Sequence, residues 1–416
     1  MPLKVVIFGA GLAGLGAAIA LTRAGHDVEV FLNEVGAAIH VAPNATRILR
    51  DWGCDAEGLQ AVECKRLQVL NSDAELVYTP ILTEDCQKAL GITDSWVLTR
   101  RVDLHSTLRA TEAKHIKGRK PNIRLCSRIA SVDAEAGVFI LGNGKTVTGN
   151  LIIGADGIHS RTVKAVTGEK PRKVSTGQYC FRFLVPVSKM LADPETASLV
   201  RKIGLDGVHA IASEDRRLVV YPSRGDDLLK VARIYPVEPG STVKELSWLD
   251  GGSMEALLKA FESFSSELQV MCRKAEDLKL RSLASRTPPE TFIKGKLALI
   301  GDAAHPTLPH QEQGGAQSFE NGVALGALFT PDTTPEQVSQ GLELYDRLRY
   351  DRAITVLFMS KLNVERRGEM LDELRQFVPD AQVPKSMFDY TWSSYPARDA
   401  QRLLGESGVA AYIKGL

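Results

Sequence analysis

The 416-residue chain has almost no excess charge of either sign: 51 Lys and Arg stand against 50 Asp and Glu. Phosphate binding draws on clustered cations, and here the basic residues are scattered, which excludes a dedicated nucleic-acid binder. The densest basic tract, Lys114, Lys117, Arg119 and Lys120, holds Gly118 and is followed by Pro121, the composition of a solvated loop. Cysteine is also sparse. Six thiols (Cys54, Cys64, Cys86, Cys126, Cys180, Cys272) never fall at C-x-x-C spacing, so neither a zinc site nor a redox dithiol is expected, and a chain this long needs no disulfide framework. Reduced thiols in the cytoplasm are the expectation, with no metal. Long apolar runs are missing with one exception: Val5 to Leu21, 17 uncharged residues behind Lys4. A leader or short membrane span has that look. However, the run is dense in glycine and a strand-like Val28 to Phe31 follows closely, so a folded unit is expected and no stable membrane insertion. Internal repeats and low-complexity linkers are absent too. The remaining composition, 44% hydrophobic and 24% charged, suits a globular protein with room for two or three domains.

Lys4 to Phe8 reads as a buried parallel strand, short, β-branched and ended by glycine. Leu12 to Ala24 reads as a helix closed by Gly25, and Val28 to Phe31 as the next strand. Between the first strand and the helix stands Gly9-Ala10-Gly11-Leu12-Ala13-Gly14, a G-x-G-x-x-G. The first glycine permits the tight turn, the second lets the backbone approach a pyrophosphate, and the third lets the helix pack on the strand. Helix-terminal N–H groups then face the anion. The acidic residue expected at the end of the second strand is not at Leu32; Glu34 is the nearest substitute. Farther on, helices are expected at Ala42 to Trp52, Asp103 to Ala113, residues 253 to 275, Gln317 to Leu328 and most of the chain after Thr334. Strands are expected near 65–100, 123–140, 151–153, 175–235 and 297–300.

Two more strands run into turns of the same kind. Leu151-Ile152-Ile153 leads into Gly154-Ala155-Asp156-Gly157, and Leu297 to Ile300 leads into Gly301-Asp302-Ala303-Ala304-His305-Pro306, then Pro309 and Gln313-Gly314-Gly315-Ala316. With these three motifs in order, the chain resembles the single-component, class A FAD-dependent aromatic monooxygenases. It is most similar to the salicylate-hydroxylase-like branch, which includes fungal phenol and indole monooxygenases. The resemblance covers most of the first 330 residues. It implies FAD held by Gly9, Gly11, Ala13, Gly14 and Glu34, by Ala38 in the loop beside the flavin ring, and by Arg101. Asp156 would serve both FAD and the nicotinamide cofactor. Asp302 would bond the ribityl chain, while Gly314, Gly315 and Ala316 would present N–H groups to the flavin. Pro309 would lie beside the reactive flavin carbon. Glu312 departs from the pattern, which has glycine there. His40 is either a packing or surface histidine or a flavin contact.

The implied fold is α/β: a Rossmann-type FAD-binding domain (1–75, 97–170, 285–333), a β-sheet-rich substrate domain (76–96, 171–284) and a C-terminal helical segment (334–416). The implied reaction uses NAD(P)H as co-substrate and molecular oxygen. A flavin hydroperoxide would hydroxylate or epoxidise a small aromatic substrate, phenol- or indole-like. Phe181-Arg182-Phe183 alternates apolar, charged, apolar, so with both phenylalanines buried Arg182 faces the other side, which in this family lines the substrate cavity. Tyr221 has a similar place. Arg182, Tyr221 and Pro309 are therefore the candidate catalytic residues, with plain surface positions the alternative for the first two. No second G-x-G-x-x-G follows a strand and there is no W-x-W. A flavin dehydrogenase or oxidase that inserts no oxygen, and a non-catalytic flavoprotein, are the competing functions.

Overall fold

Short apolar strands followed by glycine build a six-stranded sheet. In the computed structural model, which describes all residues except 33–38, 55, 115–117, 126–128, 170–172, 238–250, 362–366 and 408–416, the strand order is Ile293–Lys294, Leu297–Leu299, Leu151–Gly154, Lys4–Phe8, Asp27–Leu32, Asn122–Leu125. All neighbours are parallel except the first pair. Alternate residues of Lys4–Phe8 feed two cores, as a strand buried on both faces must. Val5 and Ile7 join the helices, whereas Val6 and Phe8 meet Ile129, Phe139 and Val147 of a small antiparallel sheet. The apolar run Val5 to Leu21 is thus a strand and the helix Leu12–Arg23, and no described helix is long and apolar enough to cross a membrane.

Helix Leu12–Arg23 lies against helix Gly314–Leu328 at small residues. A Cβ on Gly322 would sit 2.9 Å from the Gly16 carbonyl carbon, and one on Gly326 would sit 2.9 Å from Ala20 Cβ. The second of these helices starts at Gly314, three residues ahead of the expected Gln317, so Gly314 and Gly315 are its first turn.

A seven-stranded sheet runs Glu276–Arg286, Lys173–Pro186, Leu228–Pro236, Arg217–Ser223, Gly207–Ala212, Arg66–Leu70, Leu76–Leu82. Arg66–Leu70 pairs in parallel with Gly207–Ala212, so this strand belongs to the second sheet; hydrogen-bond partners distant in sequence decide that membership. One face of this sheet, with Phe181, Phe183, Leu218 and Val231, packs on helices Met254–Ala260 and Ser266–Arg273. The single helix expected over 253–275 is broken where the buried rings of Phe261 and Phe264 turn into that core. A three-stranded sheet, Ile39–Val41, Val97–Thr99, Val62–Glu63, carries one wall of the site described next. The C-terminal helices Val338–Met359, Arg367–Arg375, Met387–Trp392 and Pro396–Glu406 follow.

Candidate functional site

The three turns converge. Gly9 has φ of 101°, and a Cβ there would fall 2.1 Å from the Ala155 carbonyl oxygen; a Cβ on Gly14 would fall 1.8 Å from the Gly9 carbonyl oxygen. Only glycine fits either place. Ala13 closes on the third turn, where a Cβ on Gly301 would lie 2.7 Å from its methyl group. The strands bring these turns together: Ala155 N donates to Phe8 O (2.7 Å) and Ile300 N to Gly154 O (3.0 Å). Gly11 differs, since nothing lies within 4 Å of a Cβ built there. It is the N-cap of helix Leu12–Arg23 and supplies no side-chain cap, so the helix N–H groups open onto free space of the kind that takes phosphate.

Asp156 is committed to its own turn. Its carboxylate accepts from Ser160 Oγ (2.7 Å), Thr162 Oγ1 (2.6 Å), Arg161 N (2.7 Å) and Thr162 N (3.2 Å). Sequence reasoning assigned it to cofactor contact; in the structure its oxygens shape the turn. Asp302 stands in a 3-10 turn. Burial raises its pKa, while Arg101 and Arg286 pull it down. Arg286 was not singled out from sequence. It is buried, donates to Asp302 O (3.2 Å) and to Ala303 O, and leaves Nε and Nη1 without partners. Arg101 is the first residue of helix Arg101–Glu112; burial lowers its pKa, Asp302 opposes and Arg182 adds. Gly314, Gly315 and Ala316 form the uncapped first turn of their helix. Pro309 opens the 3-10 turn Pro309–Gln311, and Glu312 follows with φ of 52°. A glutamate therefore occupies the left-handed backbone that suits the family's glycine. Glu34 and Ala38 lie outside the described residues.

Beyond the flavin loop lies the polar face of the seven-stranded sheet. The expected alternation is present: Phe181 and Phe183 are buried in the core, and Arg182 points the other way. Burial lowers the Arg182 pKa, but Cys180, Glu312 and Tyr221 raise it by more. Tyr221 is buried and its hydroxyl lies against Lys230 Nζ. Burial and Glu312 push the Tyr221 pKa well above its ordinary value. His40, for which sequence left packing and flavin contact open, is buried with its ring centroid 4.0 Å from that of Tyr221, edge to face. Neither ring nitrogen has a partner, and burial pushes its pKa down to about 4. A cleft of about 730 Å³ continues from this face, lined by Gln178, Arg217, Ile234, Leu308, His310 and Phe358 among others. It brings the residues either side of Pro309 into line with the sheet.

Known proteins share this fold. Residues 129–359 match a family model described as an FAD binding domain, and residues 3–186 match a pyridine nucleotide-disulphide oxidoreductase model. Over 409 residues the chain is 32% identical to the FAD-dependent monooxygenase cfoG of Aspergillus candidus, covering 94% of this chain and 92% of that one. The chain belongs to the FAD-dependent monooxygenases. Another relative of this monooxygenase is the hispidin-3-hydroxylase of Neonothopanus nambi, 32% identical over 368 residues, with 84% and 86% covered. A salicylate hydroxylase substrate complex shares the monooxygenase's fold, with a TM-score of 0.77, 21% identity, and 97% and 98% coverage. So does CtdE in complex with FAD and a substrate, with a TM-score of 0.79, 18% identity, and 99% and 100% coverage. The residues present fit FAD. Open space at Gly11 suits a pyrophosphate, the unpartnered nitrogens of Arg286 and His40 face unfilled needs, and two uncapped helix starts supply N–H donors.

Proposed function

We propose that this FAD-dependent monooxygenase uses NAD(P)H and molecular oxygen to hydroxylate a small aromatic substrate, phenol- or indole-like, at the Arg182–Tyr221 face of the seven-stranded sheet. One observation carries the reading: half-buried Arg182 and buried Tyr221 share one face of the sheet with Gln178, Arg217 and Ile234 and feel the charge of Glu312, and a cleft of about 730 Å³ lined by those three residues runs along that face. FAD would be held by Gly11 and the helix start behind it, by Arg101, Asp302 and Arg286, and by the first turn of helix Gly314–Leu328. Bound there, FAD supplies the redox chemistry and oxygen activation. The chain's own residues do the rest. Arg182 pairs with a developing phenolate or orients a neutral ring, and Tyr221 offers a hydroxyl to the substrate's polar atom. The apolar packing around Tyr221 and His40 keeps water from the reacting centre. A relative named 3-amino-4-hydroxybenzoate 2-monooxygenase, from Streptomyces cremeus and 28% identical to this chain, supports this substrate class.

The test is a panel of phenols and indoles incubated with the FAD-loaded protein, NADPH or NADH, and oxygen-18 gas. Cofactor oxidation accompanied by label in an aromatic product is the expected result. Oxidation of every substrate without label, or yellow protein inert to both nicotinamides, would reject it.

A further inference from the structure

The strands carrying Arg182 and Tyr221 meet in rungs, and successive rungs on one face are two residues apart. Tyr221 stands in the first rung; Arg182, Ala232 and Val219 make the second, and Cys180, Ile234 and Arg217 the third. Leu308 of the flavin loop packs on Cys180 and Ile234, and Leu308, Ile234 and Arg217 all line the cleft of about 730 Å³. The cleft therefore begins one rung, roughly 7 Å, past Arg182. A lone ring held at Arg182 and Tyr221 leaves it unused. Its volume falls in the range of about 300–1,000 Å³ that takes a molecule of several rings or a long chain.

The far bank comes from the C-terminal helices. Phe358, Met370 and Phe377 line it; the first two are buried and the third half-buried, with the two ring centroids 5.6 Å apart. The carboxylates on the same bank, Glu369 and Glu373, are exposed, so the inner wall there is apolar. Apolar burial is non-directional, and a methionine thioether adapts to the shape it meets. Such a wall selects by length and bulk rather than by hydrogen bonds.

We propose that the ring oxidised by this monooxygenase carries an apolar arm, a chain or second ring reaching at least one rung past Arg182, and that the Phe358–Met370–Phe377 wall holds that arm. The inference rests on the reading of a phenol- or indole-like ring at the Arg182–Tyr221 face and names the kind of molecule that bears the ring. Leu308 directly precedes Pro309, so an arm lying against Leu308 also sets the ring's place relative to the flavin loop. Phe358, Met370 and Phe377 are on this account specificity-determining residues that touch the arm and not the reacting atoms.

Oxidised, FAD-loaded enzyme is titrated with para-ethylphenol, para-butylphenol and para-octylphenol, and the shift in flavin absorbance gives each Kd without turnover. Affinity should rise along the series by at least about tenfold, the worth of two buried methylene groups. Two variants separate the cleft from general apolar attraction. Phe377→Ala strips the wall, and Val174→Trp crowds the sheet side of the cleft at a position that is 50% exposed. Each should cut the octyl-to-ethyl advantage at least about fourfold, one methylene group's burial. Val174→Trp serves where Phe377→Ala fails to fold. Equal affinity across the series overturns the proposal, as does an octyl-to-ethyl advantage that Val174→Trp leaves whole. Graded binding that the variants blunt, with no oxygen-18 label entering any phenol or indole, supports the arm's site and rejects the proposed function. Labelled product without graded binding does the reverse.

Discussion

A single methyl group separates the glycines of the first turn into two kinds. At Gly14 it would meet a backbone oxygen at 1.8 Å, whereas at Gly11 it would enter open space with φ of −72° and ψ of −173°, a backbone that any residue adopts. Gly14→Ala is therefore expected to damage the fold itself, costing at least the ~1–3 kcal/mol of an overpacked core. Gly11→Ala should leave the melting temperature of the flavin-free protein unchanged and weaken FAD binding at least about tenfold, because the methyl fills the phosphate's place. Thermal melts of stripped protein and flavin-fluorescence titration separate the two. Arg182→Ala should retain FAD while NAD(P)H consumption loses its product; unchanged product yield would remove Arg182 from the mechanism. Arg182 was legible because Phe181-Arg182-Phe183 alternates cleanly. Lys230 was not, because Lys230 and Arg233 both interrupt an apolar strand but fall on opposite faces. Only the pairing with Tyr221 shows which one enters the site; Arg233 stacks instead on Phe261 at 4.1 Å.

Helix Gly314–Leu328 joins cofactor site to C-terminal segment through one buried carboxylate. Glu320 accepts from Arg349 (2.7 Å), from Arg352 (2.8 and 2.9 Å) and from Asn44 (2.7 Å), while Arg349 also reaches Gln317 (2.7 Å). Burial would raise the Glu320 pKa, but the two guanidiniums hold it down at about 2. Glu320→Gln leaves both arginines without their anion and should cost about 3–5 kcal/mol, read as a lowered denaturant midpoint. The pH sign follows. A carboxyl depressed in the folded state stabilises fully above its unfolded value of about 4.3, and that contribution is lost as pH falls from there toward about 2. The start of this helix was misplaced in sequence because two glycines read as loop. The N-terminal position suits them once their N–H groups face a ligand instead of a preceding turn.

Across the whole molecule, three buried histidines make the protein acid-sensitive. His40, His209 and His305 are each lowered to about 4, burial being the largest cause in every case. The unfolded chain binds protons at about 6.5, so stability is complete above that value and declines as pH drops toward the folded pKa, at roughly 1.4 kcal/mol per pH unit for each histidine. Urea denaturation at stepped pH should show this loss setting in well above the Glu320 window; a flat profile between the two limits would contradict it. The C-terminal helices are equally integral. Arg349 and Arg352 both reside in Val338–Met359, so a chain ending before Val338 leaves Glu320 buried and unpaired. It should be insoluble or unable to retain flavin in expression trials.

The amino-acid sequence alone determined the three strand-glycine turns, the placement of Arg182 opposite two buried phenylalanines, and through them the cofactor. Those features are local: the sign of φ, a missing Cβ and a two-residue alternation are all settled among adjacent residues. Tertiary structure alone decided that Arg66–Leu70 joins the second sheet, that Asp156 bonds its own turn, that Arg286 backs Asp302, and that Lys230 meets Tyr221 in the dark of the site. The first depends on the register between segments far apart in the chain; the others join nearer residues through turn and strand geometry that the order of neighbours alone does not fix.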